Sequence, residues 1–296
     1  MIEAEKLFEA ERAPLVRHAY RMLGTMADAE DIVQDAFVRW HRADRSNVRD
    51  PHAFLRATVT NLALDRLREA RRSREEYIGP WLPEPIIVDE SAVPEHVVTV
   101  AEDVSFAFLL ALERLSPLER AAFLLHDALD VPFAEIAQTL ERSEESERRM
   151  ASRARRAIHE NTPRRIAPPA SAEELRKRFT TAVLSGDVAQ ITAILTDDVK
   201  LLSDGGGKKP AAINPIHGAD RVARFLDGAV RKGLADHEVR PALINGMVGG
   251  LVLDHTGELD GLFILEGDGE KISAVYISRN PEKLEAVSKA TGLPIR

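Results

Sequence analysis

The sequence contains no cysteine among its 296 residues. A disulfide framework, a thiolate metal site and a thiol switch within the chain are therefore excluded. No apolar run approaches the roughly 20 residues of a membrane-spanning helix, and the opening residues MIEAEKLFEAERAP lack the apolar core of a signal peptide. We therefore expect a cytoplasmic protein that makes no membrane contact.

Acidic side chains outnumber basic ones, 48 to 40, which gives a formal net charge of -8. Because cations drive binding to nucleic-acid phosphates, this balance argues against indiscriminate nucleic-acid binding. The basic residues nevertheless concentrate in two stretches, residues 66–74 and 142–165. We expect a chain that binds DNA weakly alone and better when a partner supplies further contacts.

The first block, from Leu7 to Arg74, has a helical pattern interrupted by Gly24 and by the polar stretch 44–51. Its segment AEDIVQDAFVRWHR carries an apolar stripe at helical spacing, made of Val33, Ala36, Phe37 and Trp40. The polar residues opposite this stripe include Asp31, Gln34 and Asp35. Such a face is either a docking surface or simply solvated.

A second amphipathic helix follows in DPHAFLRATVTNLALDRLREARRSR. Its polar side carries Asn61, Asp65, Arg68 and Arg72, at spacings of four, three and four residues. Arginine with asparagine is what a DNA-facing helix needs, and a solvated face is again the alternative.

The composition then changes abruptly in GPWLPEPIIVDESAVPEH, whose prolines cannot continue a helix. This predicts an extended linker over residues 76–100. Its Trp81 and Leu82 are unusually apolar for a linker, so we expect them to be docked rather than left in water.

A second helical block covers residues 101–162, and its later part has a helix-turn-helix pattern. Ser143 is placed to cap the second helix of the pair. The polar face of that helix carries Arg148, Arg149, Ser152, Arg155 and Arg156. Such a face suits a major groove and its phosphates, although solvation is again the alternative.

The order of these residues resembles bacterial RNA polymerase sigma factors. The run AEDIVQDAFVRW is similar to the part of region 2 that grips the polymerase clamp, and Phe54 through Asn61 and Asp65 to Arg68 resembles the part that melts and reads the minus-10 element. The helix-turn-helix resembles region 4, which reads the minus-35 element. Two such regions with little between them are typical of extracytoplasmic-function (ECF) sigma factors. The resemblance implies all-α domains at 1–75 and 101–162, with core RNA polymerase and promoter DNA as partners.

Two residues depart from the region 4 pattern. Glu141 occupies a turn position where the family commonly has glycine, and Glu147 stands where an apolar residue usually seats the recognition helix. Because a buried unpaired carboxylate is costly, Glu147 must either reach solvent or find an arginine.

After Pro163, Pro168 and Pro169 the pattern changes again. Two helices are predicted over 171–199 and a third over 218–233, followed by the alternating runs EVRPALING, MVGGLVLDH, LDGLFILEG and KISAVYISR. Three helices against a curved antiparallel sheet predict an α+β cone with a pocket at its open end. This block, residues 170–290, resembles the SnoaL-like branch of the NTF2-like fold, which includes both enzymes and binding modules.

SnoaL-like relatives include cyclases and isomerases, so the acid and base residues of this block are candidates for catalysis. They are Asp204, His217, His237, Asp254, His255 and Tyr276. None comes at a spacing that identifies a dyad. We therefore assign no catalytic residue, metal ligand or cofactor, and we expect the protein not to be an enzyme.

Three short motifs remain: WLPEP at 81–85, DGGGK at 204–208 and NPEKL at 280–284. An isolated GGG is either an ordinary hairpin loop or a place where backbone approaches another chain segment. Together the motifs resemble ECF sigma factors of group 41, which carry a fused SnoaL-like domain, with Glu282 where aspartate is common. The resemblance implies an interdomain regulatory contact made by Trp81, Leu82, Pro83, Asp204, Gly205, Gly206, Gly207, Lys208, Asn280, Pro281, Lys283 and Leu284.

These resemblances predict an alternative sigma factor that directs core RNA polymerase to specific promoters and is regulated by its own C-terminal domain. No separate anti-sigma protein is expected, and a small molecule in the cone is one source of a signal. Two alternatives stay open. The first is a ligand-responsive helix-turn-helix regulator that does not engage polymerase, and the second is a SnoaL-like isomerase or cyclase with accessory helices.

Overall fold

The computed structural model of the protein describes residues 2–44, 46, 48–75, 77–87, 105–161, 168–234 and 236–296, with residues 2–4, 71–75, 161 and 169 described by their backbone alone. These residues form two compact units. The helical unit contains residues up to 75 and residues 105–161, and the C-terminal unit contains residues 77–87 and 168–296. The rest of the predicted linker, 88–100, lies outside the described residues. Within them, no helix is long and apolar enough to span a membrane.

The helical unit is built from α-helices, as predicted. Its first part consists of α1 (Ile2–Leu23), α2 (Met26–Arg42) and α3 (Pro51–Glu75). Its second part consists of α4 (Phe106–Glu113), α5 (Pro117–Phe123), a π-helical turn (Leu124–Ala128), α6 (Phe133–Thr139) and α7 (Glu144–Asn161).

The apolar stripes of these helices supply the core of the unit. On α2, Val33, Ala36 and Trp40 are buried, and burial of each large side chain contributes roughly 1.5–3 kcal/mol. Inside this core the His18 ring lies 2.9 Å from the Thr60 hydroxyl, and burial lowers the pKa of His18 to about 4. The histidine is therefore neutral at physiological pH and adds no charge to the core.

One buried arginine links the two parts of the helical unit. The Arg120 guanidinium, on α5, donates to the Met22 carbonyl oxygen at 2.6 Å and to the Glu113 carboxylate at 2.7 Å. A buried cation that satisfies a helix C-terminal carbonyl and a carboxylate together fixes the packing of α1 against α5.

The C-terminal unit contains helices and one sheet. Its helices are α8 (Pro169–Ser185), α9 (Val188–Ala193), α10 (Ala219–Ala229), continued by a π-helical turn (Val230–Leu234), and α11 (Pro281–Thr291). Its strands are β1 (Leu195–Asp204), β2 (Ile216–His217), β3 (Glu238–Ile244), β4 (Met247–Leu253), β5 (Leu259–Gly267) and β6 (Ile272–Ser278). The predicted architecture, two all-α parts followed by an α+β unit, is confirmed.

The sheet has the order β2-β1-β6-β5-β4-β3, and β1 pairs with β6 in parallel. The prediction of a wholly antiparallel sheet was therefore wrong. The connection from β1 to β6 passes through α10 and four strands, β2 to β5, which is long enough to return the chain in the same direction. The remaining pairings are antiparallel, as expected.

Two further elements differ from the sequence prediction. The second predicted helix ends at Ala193, and the strand β1 begins at Leu195. The sequence ILTDDVKLLSD does not alternate strictly, so the period of a strand is weak there. The helix α11 was not predicted, although Asn280 accepts a hydrogen bond from the Glu282 amide and Pro281 occupies the first helical position. Both are ordinary signals of a helix start.

Candidate DNA-binding, polymerase-binding and linker-docking sites

The acidic face of α2 is accessible. Asp31, Gln34 and Asp35 are exposed, whereas Ile32, between them in sequence, is buried. The apolar side of α2 thus belongs to the core. The carboxylates of its polar side point to solvent, where they are available to a partner.

The predicted minus-10 face of α3 is also accessible. Asn61, Asp65 and Arg68 are exposed, and the Arg68 guanidinium donates to the Asp65 carboxylate at 2.7 Å. The side chain of Arg72 lies outside the described residues. An exposed pair of this kind contributes little to folding and can exchange partners.

The turn between α6 and α7 has the geometry of a helix-turn-helix. The Ser143 hydroxyl accepts a hydrogen bond from the Ser146 amide at 3.2 Å, which confirms Ser143 as the cap of α7. Glu141 has φ of 53°, a left-handed conformation that glycine adopts without the clash that Cβ introduces. A left-handed turn is thus formed here by a residue other than glycine.

Glu147 is wholly buried on the inner side of α7, and it pairs with an arginine. Its carboxylate lies 3.2 Å from Nε of Arg142, a half-exposed side chain in the turn. Burial raises the pKa of Glu147, and the charge of Arg142 opposes that shift without cancelling it. Of the two expected alternatives for Glu147, solvent or an arginine, the structure shows the arginine.

The outer face of α7 carries exposed arginines that are held by carboxylates of the same unit. Arg148 and Arg149 pair with Glu144 and Glu145, one turn earlier, at 3.2 and 2.9 Å. Arg155 pairs with Asp127 of the π-helical turn at 2.5 Å. Ser152 and Arg156 are exposed on the same face, and Arg156 has no ion pair with any described residue.

A similar contact holds Arg153, a residue that sequence reasoning did not select. Its Nε donates to Glu119 of α5 at 2.8 Å. Partial burial raises the pKa of Glu119, but hydrogen bonds from Ser116 and Arg153 outweigh it and keep that pKa below its usual value. This ion pair therefore joins the N-terminal turn of α5 to the middle of α7.

In the C-terminal unit, one buried carboxylate accepts hydrogen bonds from two residues of the predicted linker. Asp204, at the end of β1, accepts hydrogen bonds from the Tyr77 hydroxyl at 2.5 Å, the Leu82 amide at 3.0 Å and the Gly206 amide at 3.0 Å. The Lys283 ammonium donates to the same carboxylate at 2.6 Å. We call Asp204, Lys283, Tyr77 and Leu82 the Asp204 network.

Lys283 completes this network from α11. Its ammonium also donates to the Leu82 carbonyl oxygen and lies 4.1 Å from the centre of the Trp81 ring. A buried ammonium with a carboxylate, a carbonyl oxygen and an aromatic face has its charge well compensated. Leu82 is fully buried, as its apolar character predicts.

Parallel pairing explains why DGGGK and NPEKL meet. Asp204 and Ser278 are partners in register at the carboxyl ends of β1 and β6, so both motifs start at one edge of the sheet. There Gly206 has φ of +61°, and a Cβ on it would lie 2.5 Å from the Asn280 side chain, so only glycine fits. At the surface Lys208 pairs with Glu282 at 2.5 Å, which links the DGGGK and NPEKL motifs a second time.

The remaining motif residues surround these contacts. Pro83 and Leu284 are buried, Asn280 caps α11 while its amide donates to the Tyr77 hydroxyl at 2.9 Å, and Pro281 opens α11. Gly205 is equally constrained, since a Cβ there would lie 2.1 Å from the Lys209 carbonyl oxygen. The structure thus brings WLPEP, DGGGK and NPEKL together within the C-terminal unit.

Two residues of this site were missed by sequence reasoning. Burial, strengthened by the hydrogen bond to Asp204, raises the pKa of the Tyr77 hydroxyl, so it remains a donor. Asn245, between β3 and β4, exchanges two hydrogen bonds with Ile86, at 3.0 and 2.8 Å. An aromatic residue four positions before WLPEP was the signal for Tyr77, and nothing local marked Asn245.

The candidate catalytic residues do not converge. Asp204 belongs to the linker-docking site, and the Tyr276 hydroxyl donates to Glu266 at 2.6 Å. His217 and His255 are exposed, and Asp254 lies in the β4–β5 turn, where hydrogen bonds from Thr256 lower its pKa to about 2. Of the six, His237 lines a cavity beside Asp260, a residue that sequence reasoning did not select.

Comparison with known proteins defines the class. Residues 7–73 match the model of sigma-70 region 2, and residues 105–158 match that of sigma-70 region 4. The helical unit therefore consists of the two promoter-recognition regions of a sigma factor.

The full chain belongs to the ECF RNA polymerase sigma factors. It is 40% identical to the ECF RNA polymerase sigma factor SigJ of Mycobacterium tuberculosis, over 98% of this chain and 94% of that protein. It is 34% identical to the probable ECF RNA polymerase sigma factor SigI of the same species, over 73% of each chain. A crystal structure of M. tuberculosis SigJ, 35% identical, covers 98% of this chain and 99% of that one with a TM-score of 0.76.

The predicted class, and the predicted function of directing core RNA polymerase to promoters, are thereby confirmed. An ECF sigma factor directs core RNA polymerase to promoters, so polymerase and promoter DNA are the partners of this chain.

Proposed function

We propose that the C-terminal unit regulates this sigma factor by holding the linker that joins regions 2 and 4. The observation that carries the proposal is the Asp204 network, in which a buried ion pair binds the backbone and side chains of residues 77–82. Tyr77 follows the last residue of α3 by two positions. Whatever holds Tyr77 therefore restrains the chain between the two promoter-recognition regions.

The restraint acts through effective concentration. A segment tethered by a short piece of chain meets its receptor at a high local concentration, so even a modest contact competes with an external partner. Release of the linker then widens the range of separations that regions 2 and 4 can adopt on a promoter. This intramolecular restraint takes the place of a separate anti-sigma protein.

The DNA-binding residues are assigned by their residue types and, where the side chain is described, by its exposure. We assign Asn61, Asp65, Arg68 and Arg72 to the minus-10 element, and Arg148, Arg149, Ser152, Arg155 and Arg156 to the minus-35 element.

Asp31, Gln34 and Asp35 are assigned to the polymerase clamp because all three are exposed and the two carboxylates offer charge complementarity to a basic surface. Replacing Asp31 and Asp35 by alanine should weaken binding to core polymerase in a pull-down assay and leave the melting temperature unchanged. Retained binding would remove this face from the polymerase contact.

The C-terminal unit acts in this scheme as a binding module without catalytic activity, in the cytoplasm with its polymerase. The scattered positions of Asp204, His217, Asp254, His255 and Tyr276 support that assignment, because acid–base catalysis needs groups that reach one substrate.

The test is in vitro transcription with core polymerase and full-length variants. Substitution Trp81→Ala, which removes the aromatic face over Lys283, should raise transcription at limiting sigma because the linker is released more often. The matched control is Lys271→Met, an exposed residue of the same unit away from the linker. Equal activity of W81A, K271M and wild type would reject the proposed restraint, while the sigma function itself would stand.

A further inference from the structure

The C-terminal unit contains two adjoining cavities of unlike character. One of about 820 Å³ and one of about 90 Å³ share Leu234, His237, Asp260, Ile277 and Arg279 in their walls. The smaller is lined largely by apolar side chains, among them Phe179, Val183, Val239 and Phe263. The larger is lined by polar and charged ones as well. A ligand that occupies both must have a polar part and an apolar part.

The charges of the larger cavity are unbalanced. Five cationic side chains line it, against the single carboxylate of Asp260: Lys209, Arg224, Lys232, Arg279 and Arg296. Arg224 is paired with Asp220 outside the cavity, and Arg296 lies 3.5 Å from Asp254. Lys209, Lys232 and Arg279 then remain for one carboxylate, so the cavity attracts anions.

Polar atoms at the junction of the two cavities lack partners. The side chain of His237 is 6% exposed. Its Nε2 lies 3.6 Å from the Asp260 carboxylate, beyond hydrogen-bond distance, and neither ring nitrogen has a hydrogen-bond partner among the described residues. Nε of Arg279 is also buried and has no hydrogen-bond partner among the described residues. A terminal nitrogen of the same guanidinium donates to Asp260 at 2.7 Å. Buried donors without partners cost free energy that a bound acceptor recovers.

We propose that these cavities bind a monocarboxylic acid with an apolar body. Its carboxylate accepts hydrogen bonds from His237 and Arg279 with Lys209 nearby, and its hydrocarbon part fills the space beside Val183 and Phe263. A cationic ligand would meet three cations that share the single carboxylate of Asp260, and an uncharged ligand would not offset their excess positive charge. The inference deepens the proposed function, because it names the ligand class that would act on the regulatory unit, and binding is measured without transcription.

The binding test uses full-length protein and three probes with the same eight-carbon chain. In isothermal titration calorimetry, octanoate should bind about tenfold or more tightly than 1-octanol, because its carboxylate accepts charge-assisted hydrogen bonds that a hydroxyl does not. Octylammonium should bind more weakly than either. Equal affinity for octanoate and octanol, or no heat from any probe, overturns the proposal.

Variants locate the binding. Lys209→Met should weaken octanoate binding about tenfold and leave octanol binding unchanged, and Val183→Trp, which fills the apolar part, should weaken both. The matched control is again Lys271→Met, with folding checked by circular dichroism. If K209M and V183W both fold and bind octanoate like the wild type, the site is not this cavity. Octanoate that binds but leaves transcription unchanged would contradict the regulatory role of the unit and not the binding inference.

Discussion

The ion pair of Asp204 and Lys283 is removed from solvent, with 0% and 8% of the two side chains exposed, whereas Arg149 and Glu145 on α7 are 64% and 79% exposed. The two pairs have the same chemistry and similar distances, 2.6 and 2.9 Å. Removing one partner of a buried pair leaves an uncompensated charge in a poorly solvated place, but an exposed charge is solvated at once.

This difference separates a contact that fixes one structure from a contact that can be exchanged. The buried pair favours a single linker position, because any other position would leave a buried ion without the contacts that compensate its charge. The exposed pairs keep the arginines of α7 oriented without binding them strongly, so phosphate oxygens can replace Glu145 or Asp127 as acceptors. In this sigma factor the fixed contact belongs to the proposed regulatory site, and the exchangeable contacts belong to the proposed DNA-binding face.

The largest effect is expected from Asp204→Ala. It leaves the Lys283 ammonium buried without its counterion and should lower the free energy of unfolding of the C-terminal unit by about 3–5 kcal/mol. Urea denaturation followed by circular dichroism measures it. Asp198→Ala, at an exposed position of the same strand β1, is the control and should change stability by less than about 0.5 kcal/mol. Comparable losses in D198A and D204A would erase the distinction between buried and exposed charges.

A smaller effect, on DNA rather than on folding, is expected from replacing Arg149 and Arg155 by alanine. For each phosphate that the variant no longer neutralises, the slope of log K against log salt should fall by about 0.9, and promoter binding should weaken. The melting temperature should hardly change, because the pairs removed are exposed. Arg240→Ala, which removes an exposed and ion-paired arginine of β3, is the control. An unaltered salt slope in the double variant would take these arginines out of the DNA interface.

The smallest effect is expected at Glu147, a wholly buried carboxylate whose partner, Arg142, is half-exposed. Because burial raises its pKa in the folded state, its contribution to stability is largest at low pH and is lost as pH rises through the folded pKa. Glu147→Gln should therefore be more stable than wild type at neutral pH, on the order of 1 kcal/mol, with the difference shrinking in acid. Thermal unfolding across pH measures it, with Glu145→Gln, exposed on the same helix, as the control. A pH-independent difference would mean that Arg142 fully compensates the buried carboxylate.

Local patterns predicted the parts of the structure that depend on local chemistry. The stripes of α2 and α3, the cap at Ser143 and the burial of Leu82 follow from spacing and residue type alone. The pairing of Glu147 with Arg142 was foreseeable because a buried carboxylate requires a partner.

The parts that were missed depend on contacts between distant segments. The parallel pairing of β1 with β6 joins residues more than seventy positions apart, and no periodicity encodes it. Asn245 was missed for the same reason, since its role exists only because Ile86 docks beside it. His237 could be selected as a histidine, but its place beside Asp260 follows from the fold.

The parallel register of β1 and β6 also determines which segments of the chain must be transferred together when two related proteins recombine. It sets Asp204 and the start of α11 side by side to receive residues 77–87, which lie far upstream in the chain. The folding module is consequently discontinuous, and its boundary does not coincide with a cut after region 4. A chimera that takes only the C-terminal third from a relative would combine the linker of one parent with the receptor of another. Recombination that preserves regulation must carry the two segments together.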